Sequence, residues 1–168
     1  CFSIFTSFCL HTATQASCFS NAIGIANKFA VSYNMMTAST KKTDYSAKHG
    51  RLNGRRAWCA QSARGTQEWL KIELEKSTEI CGVATQGRED TDEYVISFKL
   101  YYSLDGDGWT AYKNSNGYDE VFTRFGNSSI TDYHQLPVPV SPKFIVFHPT
   151  SQHIWNCLRV EIYSTNST

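Results

Sequence analysis

Residues 69–109 read WLKIELEKSTEICGVATQGREDTDEYVISFKLYYSLDGDGW, and this stretch decides the fold class. Apolar and polar side chains alternate over residues 69–74 and again over residues 94–102. A period of two is typical of a half-buried antiparallel strand. The turn-forming residues 105–108, Asp-Gly-Asp-Gly, follow the second segment and predict a hairpin.

The rest of the chain continues this pattern in short segments. Apolar residues alternate with charged ones over residues 158–162, and residues 144–147 are continuously apolar, as in a central strand. Such segments, joined by Gly, Asn and Pro turns and without convincing helix signals, predict an all-β sandwich or jelly roll. Residues 40–65 are polar and Gly-rich, so we expect them to form long loops outside the core.

Composition and charge exclude several classes of protein. The 168 residues suffice for one domain with a sizeable core, and 14% aromatic with 18% charged residues suits a folded chain better than a disordered one. The net charge of +1 indicates no nucleic-acid partner. The six cysteines are scattered, which predicts long-range disulfides in an oxidising compartment and no metal site. N-glycosylation sequons at Asn127 and Asn166 also favour an extracellular location.

The first 16 residues have a different character. Residues 1–10 are apolar and uncharged, and a stretch of small residues ends at Ala16. This pattern is typical of a signal peptide without its start, and a segment of an upstream domain or linker is the alternative. We therefore expect a remnant over residues 1–16 and one domain over residues 17–168, truncated at its C-terminus. No apolar run approaches the roughly 20 residues that span a membrane.

Nine segments, in order along the chain, carry a resemblance to a known family. They are Ile23-Gly-Ile25, Met36-Thr-Ala-Ser39, His49-Gly-Arg-Leu52, Ala57-Trp-Cys59, Glu68-Trp-Leu-Lys-Ile72, Gly82-Val-Ala-Thr-Gln-Gly-Arg88, Tyr101-Tyr-Ser-Leu-Asp-Gly106, Phe125-Gly-Asn127 and Leu158-Arg-Val-Glu-Ile-Tyr163. Together they resemble the discoidin domain, also called the coagulation factor V/VIII type C domain. The resemblance implies an eight-stranded antiparallel jelly-roll β-sandwich of the galactose-binding-like type. It also implies a non-catalytic domain whose loops at one end, called spikes, bind lipid headgroups, glycans, collagen or other proteins.

The resemblance implies one disulfide directly. The cysteine pattern is most similar to that of the discoidin domain receptors. In that subgroup the Cys of the Ala-Trp-Cys motif pairs with the Cys of a Cys-Leu-Arg-Val-Glu motif. The matching residues in this sequence are Cys59 and Cys157, so the resemblance implies a bond between them.

A second disulfide of the family has no obvious counterpart. The family's first cysteine corresponds to Cys18, but its usual partner after the last strand is missing from this sequence. Cys18 is then free, paired with Cys9 or Cys81, or paired with a cysteine outside this chain. Because Cys81 shares a strand face with Val83, we expect Cys81 to be a buried, inert thiol. The two ends of the domain would then be held less firmly than in relatives.

By the same resemblance, two segments correspond to ligand-binding spikes. The candidate residues are Lys41, Lys42, Thr43, Asp44 and Tyr45 on the first spike and Arg88, Glu89 and Asp90 on the third. Membrane-binding relatives expose large apolar side chains there, whereas Tyr45 is the only such candidate here, and burying a charged spike in lipid is costly. Collagen-binding relatives use a Trp and an Arg, and this chain keeps Arg88 but has Lys42 in the Trp position. We therefore expect a protein or sugar ligand, with a solvated, self-paired loop as the alternative.

A basic run forms a second candidate surface. Residues 41–64 contain seven Lys and Arg residues and a single acidic residue. On the predicted fold this run lies on the first two loops, so that Lys48, Arg51, Arg55 and Arg56 form a basic patch. Such a patch suits an anionic glycan, for example a sulfated polysaccharide. Ordinary solvated surface is the alternative.

Patterns typical of catalysis and metal binding are missing from the sequence. His49, His134, His148 and His153 have no nucleophile or metal ligand at a characteristic spacing, and we expect each to be a surface or core residue. The Asp-x-Asp of the predicted hairpin lacks the other ligands of a calcium loop. Calcium at another turn is left open, and no other cofactor is predicted.

These observations together predict a function. We expect a non-catalytic adhesion or recognition module, extracellular or on the cell surface and part of a longer protein, which binds a glycan or a protein through its loops. The alternatives are a carbohydrate-binding accessory domain of a secreted enzyme, a phosphatidylserine-type membrane binder and a lectin that acts alone. Membrane lipid is the less favoured partner, and nucleic acid is not expected.

Overall fold

The computed structural model describes residues 17–165 as an all-β domain. The predicted remnant over residues 1–16 and the sequon residue Asn166 lie outside this range. No helix in the described range is long and apolar enough to cross a membrane. Within it, 3₁₀ turns lie at Cys18–Ser20, Tyr33–Met35 and Ala47–His49. The strands are β1 (Met36–Ala38), β2 (Trp58–Cys59), β3 (Leu70–Glu73), β4 (Ile80–Gln86), β5 (Tyr94–Ser103), β6 (Thr110–Ala111), β7 (Phe122–Thr123), β8 (Asp132–Val140), β9 (Phe144–His153) and β10 (Cys157–Ser164).

The strands form two sheets in which neighbouring strands pair antiparallel. The larger sheet has the order β1-β3-β9-β5-β6, with β7 also paired to β5, and the smaller sheet has the order β2-β10-β4-β8. The predicted all-β antiparallel sandwich is confirmed. The described residues contain ten strands, of which β2, β6 and β7 are two-residue pairings at the margins of the sheets.

The core lies between the two sheets and is supplied by the alternating strands. In β3, Leu70 and Ile72 are buried in the core while Lys71 is half-buried on the other face, as a period of two predicts. In the smaller sheet, every residue of β4 and β10 is buried. Both faces of these two strands are covered because Phe19 and Leu52, from segments outside the sheet, pack beside them.

Residues 40–65 are more buried than their polarity indicates. Ala57, Trp58 and Cys59 are fully buried because β2 pairs with β10 and the Trp58 side chain enters the main core. The Trp58 indole N–H donates to the carbonyl oxygen of Thr40 at 2.9 Å, which ties the first loop to this strand. The prediction that this segment lies outside the core is therefore wrong for residues 57–59. A two-residue strand is too short for any periodic pattern to show it.

The Cys59–Cys157 disulfide is confirmed. The two residues stand directly opposite each other where β2 pairs with β10, and their Cα atoms are 4.1 Å apart. Both side chains are fully buried, and Tyr45 and Trp155 pack against them. The bond therefore fastens the loops on either side of β2 to the start of the last strand.

The sequence predicted that Cys81 is an inert thiol, and this prediction is wrong. Cys81 forms a disulfide with Cys18. Their Cα atoms are 5.9 Å apart, a normal separation for a disulfide. Beside this bond, the ring of Phe19 meets the ring of Tyr163 edge-on, with centroids 5.2 Å apart. Because Tyr163 lies at the end of β10, the two ends of the domain meet here, and the disulfide fixes the N-terminal turn to β4, which pairs with β10.

The predicted hairpin between β5 and β6 is confirmed. One carboxylate oxygen of Asp105 accepts hydrogen bonds at 2.9 Å from the backbone N–H groups of Asp107 and Gly108 and from the hydroxyl of Ser103. Gly106 has a φ of +88°, a left-handed conformation that glycine adopts without strain. The Asp105 carboxylate thus shapes the turn.

The hairpin has a testable dependence on pH. Hydrogen bonds from Gly108, Asp107 and Ser103 lower the pKa of Asp105 from 3.8 to about 2. Because the folded-state pKa is depressed, the carboxylate stabilises the turn above about pH 4, and we expect this stabilisation to be lost as the pH falls towards 2. An NMR titration of the Asp105 carboxyl carbon, assigned with the D105N variant, measures the pKa directly. A midpoint near 3.8 would contradict the expected shift.

Candidate binding site

Loops from the first and third predicted spikes meet at one end of the sandwich. Nη1 of Arg88 lies 2.7 Å from Glu93, and its Nε lies 3.0 Å from Asp90. The guanidinium carbon of Arg88 lies 4.4 Å from the centroid of the Tyr45 ring. The structure thus brings three predicted spike residues, Tyr45, Arg88 and Asp90, into contact.

The positive charge of Arg88 is compensated within the protein. Desolvation lowers the pKa of Arg88, but the hydrogen bond to Glu93 and the charge of Asp90 outweigh it and raise the pKa above its usual value. An anionic ligand at Arg88 would have to compete with two carboxylates. These contacts favour the self-paired loop over a free arginine at this position.

Lys42 belongs to the same cluster. Its Nζ lies 3.7 Å from Glu93 and 4.0 Å from the centroid of the Trp155 ring, which is a cation–π contact. The Trp155 indole N–H donates to the carbonyl oxygen of Ala60 at 2.7 Å, which orients the ring. Glu93 and Trp155 were not among the predicted site residues. A signal for Trp155 existed, because it lies two residues before the disulfide residue Cys157.

The remaining predicted spike residues are exposed and lie outside the cluster around Arg88. Lys41, Thr43, Asp44 and Glu89 are exposed. Glu89 lies 3.9 Å from the buried guanidinium of Arg159. These residues form the rim of the loop end rather than its centre.

Beside these loops lies a groove of about 600 Å³, which we call the basic groove. Its lining contains no acidic residue, and its basic residues are Lys28, Lys48, Arg51, Arg55 and Arg56. All four residues of the predicted basic patch therefore line one groove. Lys28 comes from the segment before β1, and nothing in its local sequence indicates that it joins them.

Within the described part of the chain, four of the five cations of the basic groove have no carboxylate in an ion pair with them. Among residues 17–165, Lys28, Lys48, Arg55 and Arg56 form no ion pair. Burial, together with the nearby charges of Lys48 and Arg56, lowers the pKa of His49, which also lines the groove. The local potential is therefore positive, in contrast to the neutralised cluster around Arg88.

The sequence predicted that Arg51 belongs to an exposed basic patch, but the structure shows Arg51 as a buried cation. Only 7% of the residue is exposed, and its Nη1 donates to the carbonyl oxygen of Ile25 at 2.6 Å. Its Nε donates to the carbonyl oxygen of Lys48 at 3.1 Å. Burial lowers the pKa of Arg51 below its usual value. Arg51 thus joins two walls of the basic groove and places a positive charge within them.

One group of potential metal ligands occurs among the described residues. Ligand atoms of Cys59, Glu93 and Cys157 lie within 4.8 Å of one another. The two sulfurs are bonded to each other, so neither is the thiolate that a metal requires. This group is a disulfide beside a carboxylate.

Comparison with known proteins assigns the family. A model of the F5/8 type C domain matches residues 35–162. The chain belongs to the F5/8 type C domain family. The family prediction is confirmed, and the finer resemblance to the discoidin domain receptors stays a prediction.

This F5/8 type C domain is similar to parts of larger proteins. It is 33% identical to mouse retinoschisin over 125 residues, which cover 71% of the chain and 55% of retinoschisin. It is 33% identical to pig coagulation factor VIII over 132 residues, 76% of the chain and 6% of the relative. It is 29% identical to Neurexin-4 of Drosophila melanogaster over 129 residues, 77% of the chain and 10% of the relative. The chain thus spans only part of each relative.

Solved structures share the fold. Discoidin II of Dictyostelium discoideum has a TM-score of 0.69 at 23% identity, with 79% of this chain and 56% of that chain covered. The family 32 CBM of NanJ from Clostridium perfringens, solved with galactose, has a TM-score of 0.63 at 12% identity, with 86% and 98% covered. These likenesses confirm the antiparallel β-sandwich fold.

The family and the two disulfides together establish the class of function. The domain is an extracellular recognition module of a family that binds carbohydrate or protein ligands through its loops and is typically non-catalytic. Asn127, the sequon residue within the described range, is exposed between β7 and β8, where a glycan can be attached.

Proposed function

We propose that this F5/8 type C domain binds an anionic glycan, such as a sulfated polysaccharide, in the basic groove. One observation carries the proposal: the groove combines five basic residues with no acidic residue in its lining. A flexible polyanion can meet several of these cations at once, and each contact releases counterions. The cluster around Lys42 and Arg88 is less suited, because Glu93 already pairs with both.

The proposal predicts that binding depends on the exposed arginines of the groove. Replacing Arg55 and Arg56 by alanine should weaken heparin binding roughly 30-fold, at about 1 kcal/mol for each cation. The measurement is the salt concentration at which the protein elutes from a heparin column, together with the slope of log affinity against log salt. In the double variant, the salt concentration at elution should be lower and the magnitude of the slope should be smaller.

A matched control separates this groove from general charge. Replacing Lys76 and Lys113 by alanine removes the same net charge from exposed positions that do not line the groove. This variant should elute close to the wild type, within the small effect of overall charge. The proposal is wrong if the two double variants elute together, or if the wild type leaves the column at trivial salt.

A phosphatidylserine surface is the second candidate. The observation in its favour is Phe29, which lines the groove and is 87% exposed, as a side chain that inserts among lipid headgroups would be. F29A separates the two candidates, since it should abolish binding to phosphatidylserine vesicles and leave heparin retention intact. Loss of vesicle binding with heparin retention intact in F29A would show that Phe29 contacts lipid, and R55A/R56A tests separately whether heparin uses the groove.

We further infer that the chain itself is non-catalytic and acts as one module of a longer extracellular protein. The support is the family, whose domains are typically non-catalytic. An accessory domain of a secreted enzyme stays the alternative for the whole protein. Incubating the isolated domain with the bound glycan and measuring chain length tests the first point, since any cleavage would contradict it.

A further inference from the structure

A second concave site lies on the outer face of the larger sheet. It has a volume of about 320 Å³ and is lined by the rings of Trp69, Tyr101, Trp109 and His148, together with Lys71 and Val146. We call it the aromatic groove. It shares no lining residue with the basic groove, and none of the predicted spike residues lines it.

Three adjacent strands place the floor of the aromatic groove. Lys71 of β3 stands opposite Val146 of β9, and Val146 stands opposite Tyr101 of β5. These three side chains therefore form a row across the sheet on its outer face. Strand pairing makes the floor rigid, so the groove exists before any ligand arrives.

The two tryptophans stand at separately anchored positions. The backbone N–H of Trp69 donates to the hydroxyl of Ser39 at 2.9 Å, which ties the start of β3 to the neighbouring strand region. Trp109 follows the hairpin that Asp105 shapes, directly before β6. Trp109 is 38% exposed, although indole rings without a ligand or partner are usually more buried.

Unused polar groups surround these rings. Within residues 17–165, the indole N–H groups of Trp69 and Trp109, the hydroxyl of Tyr101 and the ammonium of Lys71 form no hydrogen bond. Lys71 Nζ lies 5.7 Å from the centroid of the Trp69 ring. Burial lowers the pKa of His148, which disfavours the charged form of its ring. The groove therefore combines apolar ring faces with several free donors and a single free cation among its lining residues.

We propose that the aromatic groove is a second carbohydrate site, which takes a neutral mono- or disaccharide unit. A pyranose ring has a face of C–H bonds and a rim of hydroxyl groups. The aromatic rings offer apolar surface for that face, while the indole N–H groups, Tyr101 and Lys71 offer hydrogen bonds to the rim. The volume is near the lower end of the about 300–1,000 Å³ that small-ligand sites occupy.

The surroundings disfavour a lipid surface as the occupant. Ion pairs flank the groove on the same sheet, with Lys99 at 3.2 Å from Asp119 and Lys143 at 3.6 Å from Glu73. Bringing these charges into a hydrocarbon layer is costly. A proline-rich peptide also favours aromatic grooves, and it is the competing occupant in the experiment.

The test uses the whole chain and four named probes. Lactose, cellobiose, N,N′-diacetylchitobiose and a proline decapeptide are titrated while the indole N–H resonances of Trp69 and Trp109 are followed by NMR. We expect at least one disaccharide to shift both resonances, with a Kd on the order of 1 mM. W109A should weaken that binding about tenfold, whereas W109F, which keeps a ring, should retain most of it.

Two controls make the result decisive. The R55A/R56A variant should bind the disaccharide as the wild type does, so that failure of the basic groove and failure of the aromatic groove are distinguishable. The dispersion of the amide spectrum shows that W109A is folded, and Y101F tests the hydroxyl independently of the ring. Shifts with the proline decapeptide alone, or with none of the four probes, would overturn the proposal.

Discussion

Replacing Glu161 by alanine is expected to lower the free energy of unfolding by roughly 3–5 kcal/mol. The carboxylate is only 2% exposed, and it accepts hydrogen bonds from four backbone N–H groups. Three of these donors, Gly24, Ile25 and Ala26, begin the loop that leads into the basic groove, and the fourth is Ile162. Without the carboxylate these donors lose their partner in a part of the protein with little access to water.

Urea unfolding measures this effect, provided that the m-value stays unchanged. E161Q keeps one acceptor oxygen, so it should lose less stability than E161A. E75Q removes the charge of an exposed glutamate and should change stability by less than about 0.5 kcal/mol. A midpoint for E161A equal to that of E75Q would show that the backbone donors find other partners.

The same substitution links the fold to the proposed function. Lys28 and Phe29 line the basic groove and lie in the loop that Glu161 holds. E161Q removes no cation from the groove, yet a looser loop should reduce heparin retention. Wild-type retention by folded E161Q would mean that the position of Lys28 is held by other contacts.

Removing the Cys59–Cys157 disulfide, by replacing both residues with alanine, is the second large effect. The residues are 98 apart in sequence, and loss of such a bond costs about 2–5 kcal/mol, chiefly because the unfolded chain gains freedom. Both sulfurs are also fully buried against Tyr45 and Trp155. We therefore expect a lost packing contribution as well, and a looser contact between Lys42 and Trp155.

The second disulfide provides the control. Cys18 and Cys81 are 63 apart in sequence, so the chain-entropy difference between the two bonds is only about 0.4 kcal/mol. A larger difference between the C59A/C157A and C18A/C81A variants measures the packing contribution at the loop end. Equal unfolding midpoints for the wild type and C59A/C157A would contradict the stabilising role of this bond.

Long alternating segments were predictable from the sequence. In β3 the buried residues Leu70 and Ile72 follow the alternating pattern, because the strand has one face on the core. In β5 only Phe98 and Leu100 follow it, because the register shifts near Val95. β2 was missed because it has two residues and its burial depends on pairing with β10. The Cys18–Cys81 bond was only one of several alternatives for Cys18, since neither neighbourhood shows that the N-terminal turn lies against β4.

The candidate sites show the same division. The basic residues 48–56 were recognisable as a run in the sequence, and so was the motif that contains Arg88. The partners of Lys42 were not recognisable, because Glu93 and Trp155 reach it from different loops. The aromatic groove had no signal at all, since its two tryptophans are 40 residues apart and meet only across paired strands.

The alternating stretch over residues 69–109 determined, by itself, an antiparallel sandwich with a hairpin, because a period of two is a property of each strand alone. The family motifs also predicted the Cys59–Cys157 disulfide. Tertiary structure alone decided which cations have no carboxylate partner. Arg88 forms ion pairs with Asp90 and Glu93. Lys48, Arg55 and Arg56 line a groove without an acidic residue. Charge compensation depends on distances of a few ångströms between loops, and the order of residues does not contain those distances.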